Sequence, residues 1–307
     1  MKHLLQCMTV LAFLCMTATT AFATDYNIWV KGTQVTDANK TDVLGDSKVK
    51  YDPGNQKLYL FDNCHIVVGN NGYEAIKIGS GFSLLTIAVS RNVVIEGSTQ
   101  TGYPIIKVQS QVIIRGNNSI SDYLDGACYL KCIGHNPTDA IKDEGSASQI
   151  GVLLENVSVA FELYDNAYLV GNGNTNLGIG DNTALKVSNT TGTQCIYDDT
   201  RFYKTDSQDF TVCYPGHASW NSTTRKIENA SFATGDNKEL HIVSYKFLWG
   251  VNIAGIRLYN TQANNGNFGL CHTIQGQYIS GSISVSDRNG WILLDNATIS
   301  SGEDLYR

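Results

Sequence analysis

Apolar residues between positions 67 and 210 fall in short runs, and within many of them every second residue is apolar, as at Ile76/Ile78, Leu85/Ile87 and Val157/Val159/Phe161. A period of two marks a strand with one buried face. The clearest runs are 74–78, 84–89, 92–95, 104–108, 111–114, 128–133, 150–154, 157–161, 167–170, 184–187 and 194–197. Gly, Asn, Asp and Ser separate them, which predicts tight turns. No segment carries a 3.6-residue period, so the pattern predicts an all-β chain with little helix.

Two all-β architectures fit runs of this length: a sandwich of paired sheets and a parallel β-solenoid. The sandwich needs longer strands and hairpin turns. The solenoid needs very short strands whose side chains stack from coil to coil. Phrases recurring in order favour the solenoid: EAIKIG is followed by LLTIAVS, and PIIKVQS by QVIIRGN. Asn-rich turns also suit it, because amides at equivalent corners can stack in ladders. Three strands per coil, at roughly 20–30 residues per coil, predict five or six coils over 67–210.

A longer repeat frames this region. Residues 58–74 align without a gap on 291–307, with identities at Leu60/Leu293, Asp62/Asp295, Asn63/Asn296, Ile66/Ile299, Gly69/Gly302 and Tyr73/Tyr306. The Ile28–Gly32 phrase likewise aligns with Val251–Gly255. The same unit therefore begins twice. The N-terminus has Lys2, then an apolar run from Leu4 to Leu14, then Ala21-Phe22-Ala23, the pattern of a cleaved secretory leader. The expected organisation is a signal peptide at 1–23, an N-terminal β-cap module at 24–66, a parallel β-helix with an irregular C-terminal cap at 67–244, and a partial repeat of the first module at 245–307. The second copy is either a C-terminal cap or, the favoured expectation, the start of a further unit cut short. The protein is expected to be exported, to the periplasm, the cell surface or beyond.

Composition sharpens this. Gly (29) and Asn (27) are abundant, Pro is scarce (4) and only 16% of residues are charged. Gly and Asn tolerate positive φ and fit a chain with many corners. The net charge of −6 and the absence of a Lys/Arg cluster argue against nucleic acid as a partner. After the leader, no segment approaches the roughly 18 apolar residues of a transmembrane helix. Six cysteines follow the leader: Cys64, Cys128, Cys132, Cys195, Cys213 and Cys271. In an exported protein they could form disulfides, or they could simply fill the core.

The segment YNIWVKGTQVT, then Asp42-Val43-Leu44-Gly45-Asp46, Val49-Lys50-Tyr51-Asp52-Pro53 and Leu58-Tyr59-Leu60, resembles a module of secreted gut-bacterial (Bacteroidetes-like) proteins. There it introduces a right-handed parallel β-helix in carbohydrate-binding domain-containing proteins. The resemblance covers most of 26–245. It implies glycan binding at or outside the cell surface, with calcium as an optional companion.

The residues themselves contain no G-x-S-x-G, H-E-x-x-H, Walker A or EF-hand pattern. The expected function is non-catalytic binding of a polysaccharide, because flat aromatic rings stack on sugar faces while a Tyr hydroxyl bonds their hydroxyls. Candidates are Trp29, Tyr103, Tyr123, Tyr129, Tyr164, Tyr168, Tyr197 and Tyr203, with Tyr214 and Trp220 behind them. A polysaccharide lyase or hydrolase is the first alternative, with a base at Arg115 or Arg201 and carboxylates from Asp139, Asp143, Glu144, Asp165, Asp181, Asp198 and Asp199. A structural module or adhesin recognising protein is the second. No cofactor motif is present. Calcium would be held by turn oxygens, first at Asp181, Asp198 and Asp199, with Asp62, Asn63 and Asn182 also in reach. Assembly state is left open.

Overall fold

The computed structural model describes residues 24–117, 128–135, 139–145, 151–170, 176–181, 183–205, 210–215, 218–232 and 238–244. The expected leader (1–23) and second copy (245–307) lie outside the described residues. So do Tyr123, Asn182, Cys271 and the side chains of Cys213 and Tyr214.

Four strands open the chain: β1 (Asp25–Val30), β2 (Thr33–Thr36), β3 (Val49–Asp52) and β4 (Lys57–Leu60). From β4 onward the strands come in threes. The first coil is β4, β5 (His65–Gly69) and β6 (Ile76–Ile78). The second is β7 (Leu85–Val89), β8 (Val93–Ser98) and β9 (Ile106–Val108). The third is β10 (Val112–Gly116), β11 (Tyr129–Gly134) and β12 (Asp139–Asp143), and the fourth is β13 (Val152–Glu155), β14 (Ser158–Leu163) and β15 (Tyr168–Val170). Then come β16 (Asn176–Ile179), β17 (Ala184–Asn189), β18 (Arg201–Lys204), β19 (Phe210–Tyr214), β20 (Ser219–Trp220), β21 (Ile227–Glu228) and β22 (Glu239–Ser244).

Each coil gives one strand to each of three sheets. Sheet A runs β15-β12-β9-β6-β1-β2, sheet B runs β18-β16-β13-β10-β7-β4-β3, and sheet C runs β19-β22-β17-β14-β11-β8-β5. Coil-to-coil pairing is parallel in all three. The fold is thus an all-β solenoid of about four turns, with no helix among the described residues. Parallel pairing excludes the sandwich. It begins at β4, inside the segment assigned from sequence to the N-terminal module. At the margins the pairing turns antiparallel: β1 on β6, β3 on β4, and β22 on β17.

Side chains at matching positions build the core as columns. In sheet B, Leu58, Ile87, Ile114, Leu154 and Ile179 succeed one another in register. In sheet C the column is Ile66, Ile95, Cys132, Phe161 and Val187. In sheet A it is Ile76, Ile106, Ile141 and Val170. All of them are buried, and they join one continuous core. A buried apolar side chain at each level, most often β-branched, meets an apolar partner above and below, which is how such short strands become stable.

Asparagine makes the B-to-C corner. Asn63, Asn92 and Asn156 each stand between a B strand and a C strand, at φ of 57°, 53° and 51°. A single residue in this left-handed conformation bends the chain sharply, and Asn pays less for it than most residues. The next residue, Cys64, Val93 or Val157, then turns into the core. Asn63 and Asn92 also approach each other: Asn92 Nδ2 lies 3.4 Å from Asn63 Oδ1. The amide ladder expected from sequence is present at this step.

Some expectations needed adjustment. There are about four coils, not five or six. Early steps span 27 to 30 residues, and the step from Arg115 to Glu155 spans 40. Long connections around β11 and before β13 absorb that difference. Residues 194–197 do not form a strand, although the Cys195 carbonyl still accepts the Leu169 N–H at 2.9 Å. Three strands, β12, β16 and β18, escaped the apolar pattern because DAIKD, NLGI and RFYK are too polar or too Gly-broken to show it. The stretch expected to be irregular, 203–239, carries β19, β20 and β21.

Candidate functional site

Among the described residues no disulfide is formed: Cys64, Cys128, Cys132 and Cys195 are all buried, and Cys64, Cys132 and Cys195 are free thiols. Burial pushes the Cys64 thiol up to about 12 and raises the Cys132 and Cys195 thiols as well.

The C-to-A corner gathers the most notable surface. Gly72-Tyr73 and Gly102-Tyr103 hold it in the first two coils, and His135 and Tyr164 in the next two. All four rings are half-buried. Each of the first two tyrosines packs on a glycine. A Cβ on Gly32 would lie 3.1 Å from the Tyr73 ring, and one on Gly72 would lie 3.1 Å from the Tyr103 hydroxyl. Only glycine leaves room for rings so close to the backbone. His135 stacks on Tyr164 with centroids 5.0 Å apart and planes 18° from parallel. His135 Nε2 also lies 3.4 Å from Glu96 Oε1. The corner thus carries two pairs of rings: His135 and Tyr164 directly follow the C strands β11 and β14, whereas Tyr73 and Tyr103 stand nearer the A strands β6 and β9.

Sheet A adjoins this corner. On its outer face Trp29, Lys77, Lys107 and Lys142 follow one another in register. Lys77 Nζ sits 4.6 Å above the Trp29 ring, a cation–π contact. Lys107 lies between Glu144 at 3.0 Å and Glu74 at 3.6 Å, and Lys142 shares Glu144 at 3.2 Å. Burial works against the Lys107 ammonium, but the two carboxylates outweigh it and hold its pKa above the ordinary lysine value. For Glu144, burial is outweighed by Lys107, Lys142 and Gln109, so its carboxyl titrates below the usual range. At the far end Tyr168 and Tyr197 lie ring on ring, centroids 4.3 Å apart. Asp139 is the register partner of Tyr168, and burial pushes its carboxyl above the usual range.

The candidates from sequence thus separate. Tyr103 and Tyr164 belong to the corner, Trp29 and Tyr168 to sheet A beside it, and Tyr197, outside any strand, lies on the Tyr168 ring. Tyr129 is on sheet C, where burial, and then the Glu162 charge, push its hydroxyl up to about 12. Tyr203 is on sheet B, covered by the Arg225 guanidinium at 4.3 Å. Trp220 packs against the core and donates its indole N–H to the Phe202 carbonyl at 3.2 Å. Sequence reading missed Tyr73 and His135. The paired Gly-Tyr phrases could have revealed the first, but only the fold brings His135 to the corner.

The acidic candidates mostly serve turns. Asp198 Oδ1 accepts the Phe232 N–H at 2.7 Å, and the Asp181 carbonyl accepts the Asn156 N–H at 2.8 Å. Asp62 Oδ1 accepts the Arg91 N–H at 3.0 Å. Asp143 takes the Gly145 N–H at 2.7 Å, and Asp165 the Thr191 hydroxyl at 3.1 Å. Asp199 is half-buried near Tyr197. Among the described residues, no group of three or more His, Cys, Asp or Glu side chains is disposed to hold a metal ion. Arg115, a candidate base, is clamped through its Nε and Nη2 to Glu155. Arg201, the other, has no ion-pair partner among the described residues.

Comparison with family models, curated proteins and solved structures finds no match to this chain. The functional reading therefore rests on its own residues. None of the described segments is a helix long and apolar enough to cross a membrane.

Proposed function

We propose that this chain is an exported, non-catalytic glycan-binding protein. Its ligand lies along the C-to-A corner and the adjoining face of sheet A. The observation that carries the reading is that the C-to-A corner of four successive coils bears a half-buried ring, Tyr73 and Tyr103 in matching positions and His135 stacked on Tyr164. Rings repeated at a coil spacing offer an extended chain repeated platforms, and the Tyr hydroxyls supply hydrogen bonds at their rims. Lys77, Lys107, Glu74 and Glu144 beside them add polar groups for sugar hydroxyls. The proposal includes a right-handed coil, with the antiparallel strands at both margins closing the ends of the sheets. Solenoid ends otherwise expose apolar edges.

One observation favours a second reading. Asp139, its carboxyl raised above the usual range by burial, is the register partner of Tyr168, beside the Tyr168–Tyr197 ring pair, where a carboxyl could act on a sugar stacked there. A glycan array with the full chain, followed by a reducing-end and unsaturated-product assay on any captured glycan, tests both. Capture without product supports binding. Turnover moves the assignment to Asp139, and no capture leaves a structural or protein-recognising module.

A further inference from the structure

A second surface lies at the C-terminal end of sheet B. Arg201 begins β18, the last strand of that sheet. A turn at residues 221–226 is fastened to this strand, because the Phe202 N–H donates to the Arg225 carbonyl at 2.8 Å. Asn221 shapes the turn: its Oδ1 accepts the N–H groups of Thr223 (2.8 Å) and Thr224 (3.1 Å), and its carbonyl accepts the Arg225 N–H at 2.7 Å. Between strand and turn is an open depression of about 380 Å³, lined by Arg201, Thr223, Thr224, Arg225 and Lys226.

Three cations and no carboxylate line it. Glu228 touches Thr224, but its Oε1 is taken by Thr224 Oγ1 at 3.0 Å and Asn221 Nδ2 at 2.8 Å. Among the described residues, none of Arg201, Arg225 and Lys226 is in an ion pair, whereas Lys40, Lys107, Arg115, Lys131 and Lys142 each have a carboxylate within salt-bridge distance. Like charges held together with no counter-charge raise the local potential, and a chain with net charge −6 has carboxylates to spare. Arg225 is also held in place. Its guanidinium lies on the Tyr203 ring at 4.3 Å, and its backbone sits at φ 61°, an uncommon conformation for a long side chain. Stacking fixes the plane of the guanidinium and leaves its edge N–H donors directed elsewhere.

We propose that this depression binds a tetrahedral oxyanion ester, the sulfate group of an acidic polysaccharide. Two guanidinium forks and one ammonium match a group with three terminal oxygens better than a planar carboxylate with two. The opening suits an anion borne on the outside of a large molecule rather than an enclosed small ion. The inference extends the glycan reading to an acidic ligand but uses a different surface, so either can fail alone.

The test passes the full chain over immobilised dextran sulfate, phosphomannan and plain dextran at low and high salt. The expected result is retention on dextran sulfate that weakens as salt rises, with none on plain dextran. The double variant R201Q/K226Q should weaken that retention by about tenfold, the low end for charge-assisted bonds at an exposed site. Arg201 is exposed and Lys226 half-buried, and an unchanged melting temperature assigns the loss to binding. The variant Lys131→Gln, which removes a cation paired with Glu162 on sheet C, should leave retention unaltered. Retention on phosphomannan as well supports the shared oxyanion chemistry, and retention on phosphomannan alone overturns the sulfate assignment. No retention of the parent chain on dextran sulfate, or undiminished retention of R201Q/K226Q, overturns the proposal.

Discussion

Gly192 donates its backbone N–H to the side-chain oxygen of Asn189 at 2.7 Å, and the same buried amide binds three carbonyls through its nitrogen. Those carbonyls belong to Asp165 (3.0 Å), Ala167 (3.1 Å) and Gln194 (2.9 Å). Asn189 is 3% exposed, so water cannot replace these bonds if the amide is lost. It ties the last C-to-A corner to the coil before it. Asn189→Leu should therefore destabilise the protein by roughly 2–4 kcal/mol, measured by urea unfolding, because several polar groups lose their partners at once. Gly192→Ala should be comparably damaging, since a Cβ there would overlap the Asp165 carbonyl.

The sheet C column sets a second expectation. Cys132 stands in register between Ile95 and Phe161, and all three are fully buried. Phe161→Ala should cost about 3–5 kcal/mol, the range for an aromatic truncated in a core. Cys132→Val should be nearly neutral and Cys132→Ser costlier, because the hydroxyl would be desolvated. Native-state alkylation read by peptide mass mapping should leave Cys64, Cys132 and Cys195 unmodified, and denaturant should expose all three. Rapid labelling of any of them before unfolding would contradict the packing described here.

Acid should weaken the end of sheet C. His241 is 4% exposed, and burial lowers its pKa below the ordinary imidazole value. Lys186, its register partner, pushes the same way, while Glu239 at 3.2 Å opposes. Glu239 in turn titrates below its usual range, chiefly through its bond to His241. Both folded pKa values are depressed, so the unfolded chain takes up protons first. Stability should be on a plateau above about pH 6.5 and fall as the pH drops through the His241 window, then further through that of Glu239. His241→Gln should flatten the first part of that fall in melting temperatures taken from pH 8 to 5.

The strand content and the solenoid were legible because a period of two, recurring phrases and Asn corners are local signals. Ile76/Ile78 and Leu85/Ile87 announce their own burial, and Asn63, Asn92 and Asn156 sit where a left-handed residue is needed. Coil number was less legible, because β12 and β16 are held by their neighbours rather than by their own pattern. The site was the least legible part. Tyr103 and Tyr129 are alike as residues, and only the stacking of coils puts one at the corner beside Gly72 and the other on sheet C beside Glu162. His135 had no motif to mark it, and its role comes wholly from facing Tyr164.

That contrast gives the sharpest test of the binding face. Tyr103→Ala and Tyr164→Ala should each weaken capture of a glycan found on the array by about 1 kcal/mol, roughly fivefold, the worth of one ring contact. Tyr129→Phe should change nothing, since its face of the solenoid is not the one proposed. Gly72→Ala offers an independent probe. It removes no ring, but its Cβ would press on the Tyr103 hydroxyl at 3.1 Å and on Gln100 Oε1 at 2.9 Å, forcing both to move. Affinity should then fall by less than for Tyr103→Ala while the fold is kept, as circular dichroism would report. Equal losses for Tyr129→Phe and Tyr103→Ala would mean that the corner is not the binding surface, since the two positions differ in face and hardly at all in chemistry.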